Sequence, residues 1–409
     1  MKRVLGLLGG YSISVITTAA VGLLVIPFVI RTTGDSGWSS FAVGQSAGSV
    51  AGVLIALGWG ISGPTLIAAS SGPDQVAIAR ASLISRIIIS PPVLILSSIA
   101  AWLLAPGDPI AAVLSCLATS TVGLGMTWVF VGQGRPTELF VLDTLPRAAS
   151  TVVGGAALLV TGNLWTLAAC QLVGGLIAVT VSSVNSTAPR AHLPGRTWSV
   201  RVGIRETRSQ IYPSITAITA SIYLALPTLV VAATAPQATG AYALADRLGR
   251  FSLMALTPFG QWLQGWVPRL GRHHTDTPAR IKKGLNAATV AGIGAGIGVA
   301  SLGPWLAHLL GGSHVSVTFA LAAFVGISVA MSTISRASGM AGLQTLGMSK
   351  AVAISAVVGA AIGIPLLLVS VPVYGAVGAA AAVAAAETGV TLAQGIRLRR
   401  VLAGIAAHG

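Results

Sequence analysis

Acid is what this chain has least of. Nine Asp and Glu stand against 24 Lys and Arg in 409 residues, and charged residues of both signs reach only 8%. Soluble domains carry about 25%, so this deficit excludes an ordinary soluble fold. Cysteine is nearly absent too. Cys116 and Cys170 both fall inside apolar runs, which argues against a disulfide framework or a thiolate metal site and leaves them as packing residues. There is no Walker A sequence to support ATP hydrolysis. Six histidines (His192, His273, His274, His308, His314 and His408) form no ligand or general-base cluster. The chain is therefore read as a non-enzyme, with no cofactor and no metal.

What is abundant is apolar length. Hydrophobic residues make up 54% of the chain, and the mean hydropathy is +0.85. A helix needs about 20 apolar residues to cross a bilayer. Twelve runs qualify: 4–30, 38–69, 81–105, 109–132, 140–161, 164–186, 210–234, 239–268, 284–310, 315–342, 350–371 and 374–396. Backbone in lipid must satisfy its own hydrogen bonds, so the runs are helices or a closed barrel. Unbroken apolar runs without alternation exclude the barrel. The expected fold class is all-α, a polytopic membrane protein of about twelve spans.

The positive charge is patterned. Lys2, Arg3, Arg80, Arg86, Arg135, Arg147, Arg190, Arg196, Arg201, Arg205, Arg208, Arg269, Arg272, Arg280, Lys282, Lys283, Lys350, Arg397, Arg399 and Arg400 occupy alternate gaps between the runs, and Arg31 alone occupies the others. This is the positive-inside pattern. It places both termini in the cytoplasm and the protein in the inner (plasma) membrane, with the first run an uncleaved span. A net charge of +15 spread this way is topology, not nucleic-acid binding; it also favours anionic membrane lipids.

The longest polar stretch, 187–209, divides the chain into an N-terminal six-helix lobe (1–186) and a C-terminal one (210–396), followed by a basic tail (397–409). Weak echoes link the halves: Pro27 with Pro227 at an offset of 200, and Gly37, Ala42 and Trp59 with Gly240, Ala245 and Trp262 at 203. Outer loops are too short for an external domain, so function is expected within the bilayer. Gly44, Gly48 and Gly52 share a helix face; tight packing and a sliding surface both fit it.

Charges inside spans carry the functional reading, because each costs about 2.5–3.5 kcal/mol on insertion scales. Arg250 lies about 15 Å into its span, and Tyr242, Asp246 and Arg250 share one face at i, i+4, i+8. Gln261 extends that stripe beyond Pro258, with Arg247 a step aside. A cavity-lining stripe and a packing ion pair are the two readings. Glu387, also deep, is a proton-carrying carboxylate, a partner to Arg250 or a structural acid. Arg336 sits near an inner helix end, Arg31 at an outer one, and Gln45 within an apolar run. Asp143 and Arg147 read as a solvated pair at a helix entry, and the first lobe shows no deep acid.

The stretch Val25-Ile-Pro-Phe-Val-Ile-Arg-Thr-Thr-Gly34 followed by Gly37-Trp38, the stretch Thr239-Gly-Ala-Tyr-Ala-Leu-Ala-Asp-Arg-Leu248, and Trp266-Val-Pro-Arg-Leu270 resemble the polysaccharide-biosynthesis flippases. These belong to the multidrug/oligosaccharidyl-lipid/polysaccharide exporter (MOP) superfamily. The resemblance implies two six-helix lobes around a central cavity and alternating access. It implies a polyprenyl-diphosphate-linked oligosaccharide as substrate, with Arg250, Arg247, Arg31, Gln45, Tyr242, Gln261 and Arg336 toward it. Glu387 and Asp246 are the candidates for a coupling proton or sodium ion. The rival readings are a cation-coupled multidrug antiporter and a membrane glycan polymerase or transferase.

Overall fold

The computed structural model describes residues 2–70, 72–187, 225–267 and 276–408. Every regular element among them is helical. The chain divides into two compact units, Met1–Ala232 and Ala233–Gly409. The expected linker beyond Thr187, with its five arginines, lies outside the described residues, as do 210–224 of the seventh expected span, Arg269 and Arg272.

Helix α1 (Lys2–Ala56) has 55 residues. At 1.5 Å each that is about 80 Å, more than twice a hydrocarbon core of about 30 Å. It turns sharply at Gly34, where φ is 69° and ψ −167°, a conformation only glycine takes without strain. Its two arms are the first two spans, and α2 (Trp59–Ala68) completes the second. Then follow α3 (Gly72–Leu104), α4 (Pro109–Ser120), a 3₁₀ turn (Thr121–Leu124), α5 (Thr127–Gln133), α6 (Pro136–Leu139), a π segment (Phe140–Thr144), α7 (Leu145–Thr161) and α8 (Leu164–Thr187).

The glycine face of α1 is a packing seam. A Cβ on Gly44 or Gly48 would collide with the carbonyls of Ala112 or Cys116 on α4. Small residues give this close backbone approach in lipid. The turn before α4 is tied to α1 as well: the Ser40 hydroxyl accepts the Gly107 and Asp108 N–H groups at 3.0 and 2.9 Å. Asp108 then caps α4 by accepting the Ala111 N–H at 2.9 Å. Arg80, through Nε and Nη2, donates to the Thr187 carbonyl at 3.0 and 2.8 Å. The N-terminal part of α3 and the end of α8 therefore lie side by side, as alternate gaps should.

Helix α9 (Ala225–Thr234) contains the division between units. After it come a 3₁₀ turn (Pro236–Ala238), α10 (Thr239–Ala255), α11 (Thr257–Trp266), α12 (Thr277–Gly311), α13 (Phe319–Arg336), a π segment (Ala337–Leu343) and α14 (Ser349–His408). Helix α14 repeats the device of α1: 60 residues bend at Gly375, φ 53° and ψ −128°. The Ser370 hydroxyl staples that bend by donating to the Gly378 carbonyl at 2.9 Å.

Seven helical stretches are long and apolar enough to cross a membrane. Two of them, α1 and α14, are bent and cross twice. With α7 and the α10–α11 pair, the described residues account for eleven of the twelve expected spans, and α9 supplies ten residues of the seventh. Three spans expected to be continuous are not: the second breaks at Leu57 and Gly58, the fourth between Thr121 and Met126, and the eighth at Leu256.

Candidate functional site

The eighth span carries the polar stripe. On α10, Arg250 Nε donates to Asp246 Oδ2 at 2.7 Å, the i, i+4 pair expected from spacing. Tyr242, one turn earlier, is 3% exposed, whereas the Asp246 and Arg250 side chains are 29% and 43% exposed. The face thus grades from packed to open along its length. Counting from Thr239 at 1.5 Å per residue, Arg250 sits about 16 Å along the helix. Arg247, half-buried, stands beside the pair.

The helix ends where Pro258 enters. Proline has no N–H to give and crowds the preceding turn, so α11 starts afresh at Thr257. Gln261 lies on α11, with its side chain outside the described residues. The broken joint opens a cavity of about 310 Å³ walled by Leu253, Leu256, Phe259, Leu263 and Met340. Arg336, at the end of α13, lines it, but Tyr242, Asp246 and Arg250 do not. The expected set is thus divided within this unit: the stripe on one helix, Arg336 on a cavity of its own. Glu387 lies half-buried on α14, its carbonyl accepting the Thr391 hydroxyl at 2.8 Å.

Arg31 and Gln45 belong to the first unit. Arg31 is exposed three residues before the Gly34 bend, and Gln45 is half-buried on the glycine-rich arm, its carbonyl accepting the Ser49 hydroxyl at 2.7 Å.

The first unit also holds charges that the sequence reading misplaced. Arg86, counted among the loop positives, is fully buried. It donates through Nη1 to the carbonyls of Gly123 and Gly125 at 3.1 and 2.8 Å, and its guanidinium lies 5.9 Å from the Trp128 ring centre. Those carbonyls are free because the fourth span breaks there, so Arg86 is an interior brace rather than an orientation signal. Its position five residues inside the run 81–105, among Ser82, Ser85 and Ser90, was the available clue. Asp143 and Arg147 are corrected too. Their side chains are only 12% and 21% exposed; Arg147 Nε meets Asp143 Oδ1 at 3.2 Å, and Nη1 donates to the Thr121 hydroxyl at 2.7 Å. The pair is an interior one, seated at a π segment, and the first unit does hold a buried acid.

The sequence matches no protein-family model and no curated protein. Solved structures do match. A lipid II flippase, MurJ, in an inward closed conformation superposes with a TM-score of 0.75 at 13% identity, covering 95% of this chain and 87% of that one. An inward-facing MATE-family multidrug resistance transporter of the MOP superfamily gives 0.70 at 11% identity, covering 95% and 96%. The fold is that of the MOP transporters. A MOP superfamily transporter from Pyrococcus furiosus, described as having a binding pocket of reverse polarity, gives 0.57 at 12% identity over 99% of this chain and 96% of that one. The matches cover 95–99% of this chain and 87–96% of those chains, so the likeness of fold extends over nearly the whole length. The MOP fold hosts flippases and drug exporters alike, so what this chain carries must be argued from its own charges.

Proposed function

We propose that this protein flips a lipid-linked oligosaccharide, or a related glycolipid with a polyprenyl-diphosphate head, from the inner to the outer leaflet of the plasma membrane by alternating access. The observation that carries this reading is the open Asp246–Arg250 pair on α10. An arginine 43% exposed about halfway along a membrane span is too costly against lipid, so its face borders water. Arg250 and Arg247 outnumber Asp246 there, and guanidinium forks suit phosphate oxygens. The MOP fold, shared with a lipid II flippase, supports the same reading.

The inside-negative potential favours outward movement of negative charge by about 2.3 kcal/mol per charge per 100 mV. Flipping then needs no ATP from this chain, and a proton on Glu387 or Asp246, or a sodium ion, is the coupling we assign. The lipid tail stays in the bilayer while the head crosses. Both termini face the cytoplasm.

Some matched structures are multidrug transporters, which makes cation export the rival. The acids count against it. Asp143 and Asp246 are each paired with an arginine four residues on, so neither presents an uncompensated negative charge to a cationic drug.

The test is flipping by purified protein in proteoliposomes, using a fluorescent polyprenyl-diphosphate oligosaccharide. Arg250→Ala is expected to insert and fold normally yet flip at least tenfold more slowly. Wild-type flipping by that variant sinks the proposal, and so does export of a cationic dye under a proton gradient without glycolipid flipping.

A further inference from the structure

The cavity at the α10–α11 joint has no part in the stripe, yet its construction is specific. Its walls are mostly hydrocarbon and thioether. Two hydroxyls reach it, and both donate to backbone carbonyls: Thr257 on α11 to Leu253 of α10 at 3.2 Å, and Thr333 to Val329 within α13 at 2.8 Å. The polar recognition left to it is the guanidinium of Arg336, which is exposed and takes part in none of the ion pairs among the described residues. Arg336 also stands at the point where α13 widens into the π segment Ala337–Leu343, a local geometry often found at functional sites.

An apolar recess with one cation at its rim fits an amphiphile with one anionic head. Size decides which amphiphile. A volume of about 310 Å³ is at the lower end of the range for small-molecule sites, room for part of one chain and not for two. We infer that this cavity holds the head-proximal chain of a single-tailed lipid phosphate, with Arg336 on the phosphate. It is a docking site within the second unit, distinct from the Asp246–Arg250 stripe. That the occupant is the substrate's polyprenyl carrier rests on the flippase reading. The single-chain chemistry does not, and a diacyl phospholipid of the surrounding membrane is the source excluded by size.

The experiment is native mass spectrometry and competition binding on the purified full-length protein, with farnesyl phosphate as the probe. Farnesol, inorganic phosphate and dioleoyl phosphatidic acid are the comparison ligands. Farnesyl phosphate is expected to bind at least tenfold more tightly than any of the three. Arg336→Gln should weaken it at least tenfold while leaving farnesol unchanged, and Arg336→Lys should recover part of the loss. Ala341→Phe, which fills the cavity from the π segment, should exclude both prenyl ligands. Should that variant fail to fold, Met340→Trp narrows the same space from an exposed position. Undiminished farnesyl phosphate binding by Arg336→Gln, or equal binding of phosphatidic acid, overturns the inference. No farnesyl phosphate binding by a wild-type protein that does flip glycolipid would overturn it and leave the transport reading standing. Farnesyl phosphate binding by a protein that flips nothing would support the site and remove the transport reading.

Discussion

Arg86 Nη1 donates to the Gly125 carbonyl at 2.8 Å across 39 residues of chain. Its other Nη1 proton goes to Gly123, its Nε proton to the Ser82 carbonyl, and its Nη2 protons to the Ser82 hydroxyl and Met126 Sδ. All five donors of the guanidinium are thereby used, and none goes to an acid. The positive charge is met instead by carbonyl dipoles at a broken helix and by the face of Trp128, itself stacked on Trp59 at 5.3 Å. Arg86 thus fixes the place where the fourth span stops being a helix.

Arg86→Leu strands the two glycine carbonyls, at about 1–3 kcal/mol each. The thermal midpoint, read by size-exclusion after heating, is expected to fall. Arg86→Lys should fall nearly as far, because an ammonium on a single stem cannot reproduce the fork. A lysine variant as stable as wild type would reduce the role to charge alone.

Asp143 and Arg147 should behave as a unit. Removing one partner from a buried pair costs about 3–5 kcal/mol, whereas removing both costs far less. Arg147→Gln is therefore expected to destabilise more than the double change Asp143→Asn with Arg147→Gln. Strict additivity in this double-mutant cycle would mean that the two residues are not coupled.

Gly296 and Gly298 lie two residues apart on α12 and should part company on substitution. A Cβ on Gly296 would lie 2.5 Å from the Gly326 carbonyl oxygen on α13, while one on Gly298 meets nothing within 4 Å. Gly296→Ala should cost about 1–3 kcal/mol through overpacking, and Gly298→Ala should be neutral or slightly stabilising. Chemical unfolding in mild detergent compares them directly.

At the stripe, Arg250→Lys keeps the charge and loses the fork. A charge-assisted hydrogen bond is worth about 1.5–3 kcal/mol, so apparent affinity for the lipid-linked oligosaccharide should drop by about 10–100-fold. The flipping assay should rank wild type above Lys and Lys above Ala. Equal activity of the Lys and Ala variants would show that charge at this position does nothing.

The spans were legible because lipid imposes one requirement, apolar length, that a linear sequence displays openly. Asp246 and Arg250 were legible for the same reason, since charges in such a run stand out and helical spacing alone puts them together. Arg86 was not. Its proximity to the gap between the second and third runs made it resemble Arg80, which bonds the end of α8. What separates the two is a set of acceptors 37 to 40 residues away on another span. Arg336 was visible as a charge but not as the rim of a cavity, because that cavity exists only where the α10–α11 joint meets α12, α13 and the π segment.

The sequence by itself determined the membrane class, the number of spans and the helical pairing of Asp246 with Arg250, since each follows from local composition and a 3.6-residue period. Only the tertiary structure decided which charges are interior, where the second, fourth and eighth spans break, and which glycines are contacts rather than hinges. Those depend on carbonyls, ring faces and backbones brought from distant spans, and no local pattern encodes how close two helices come.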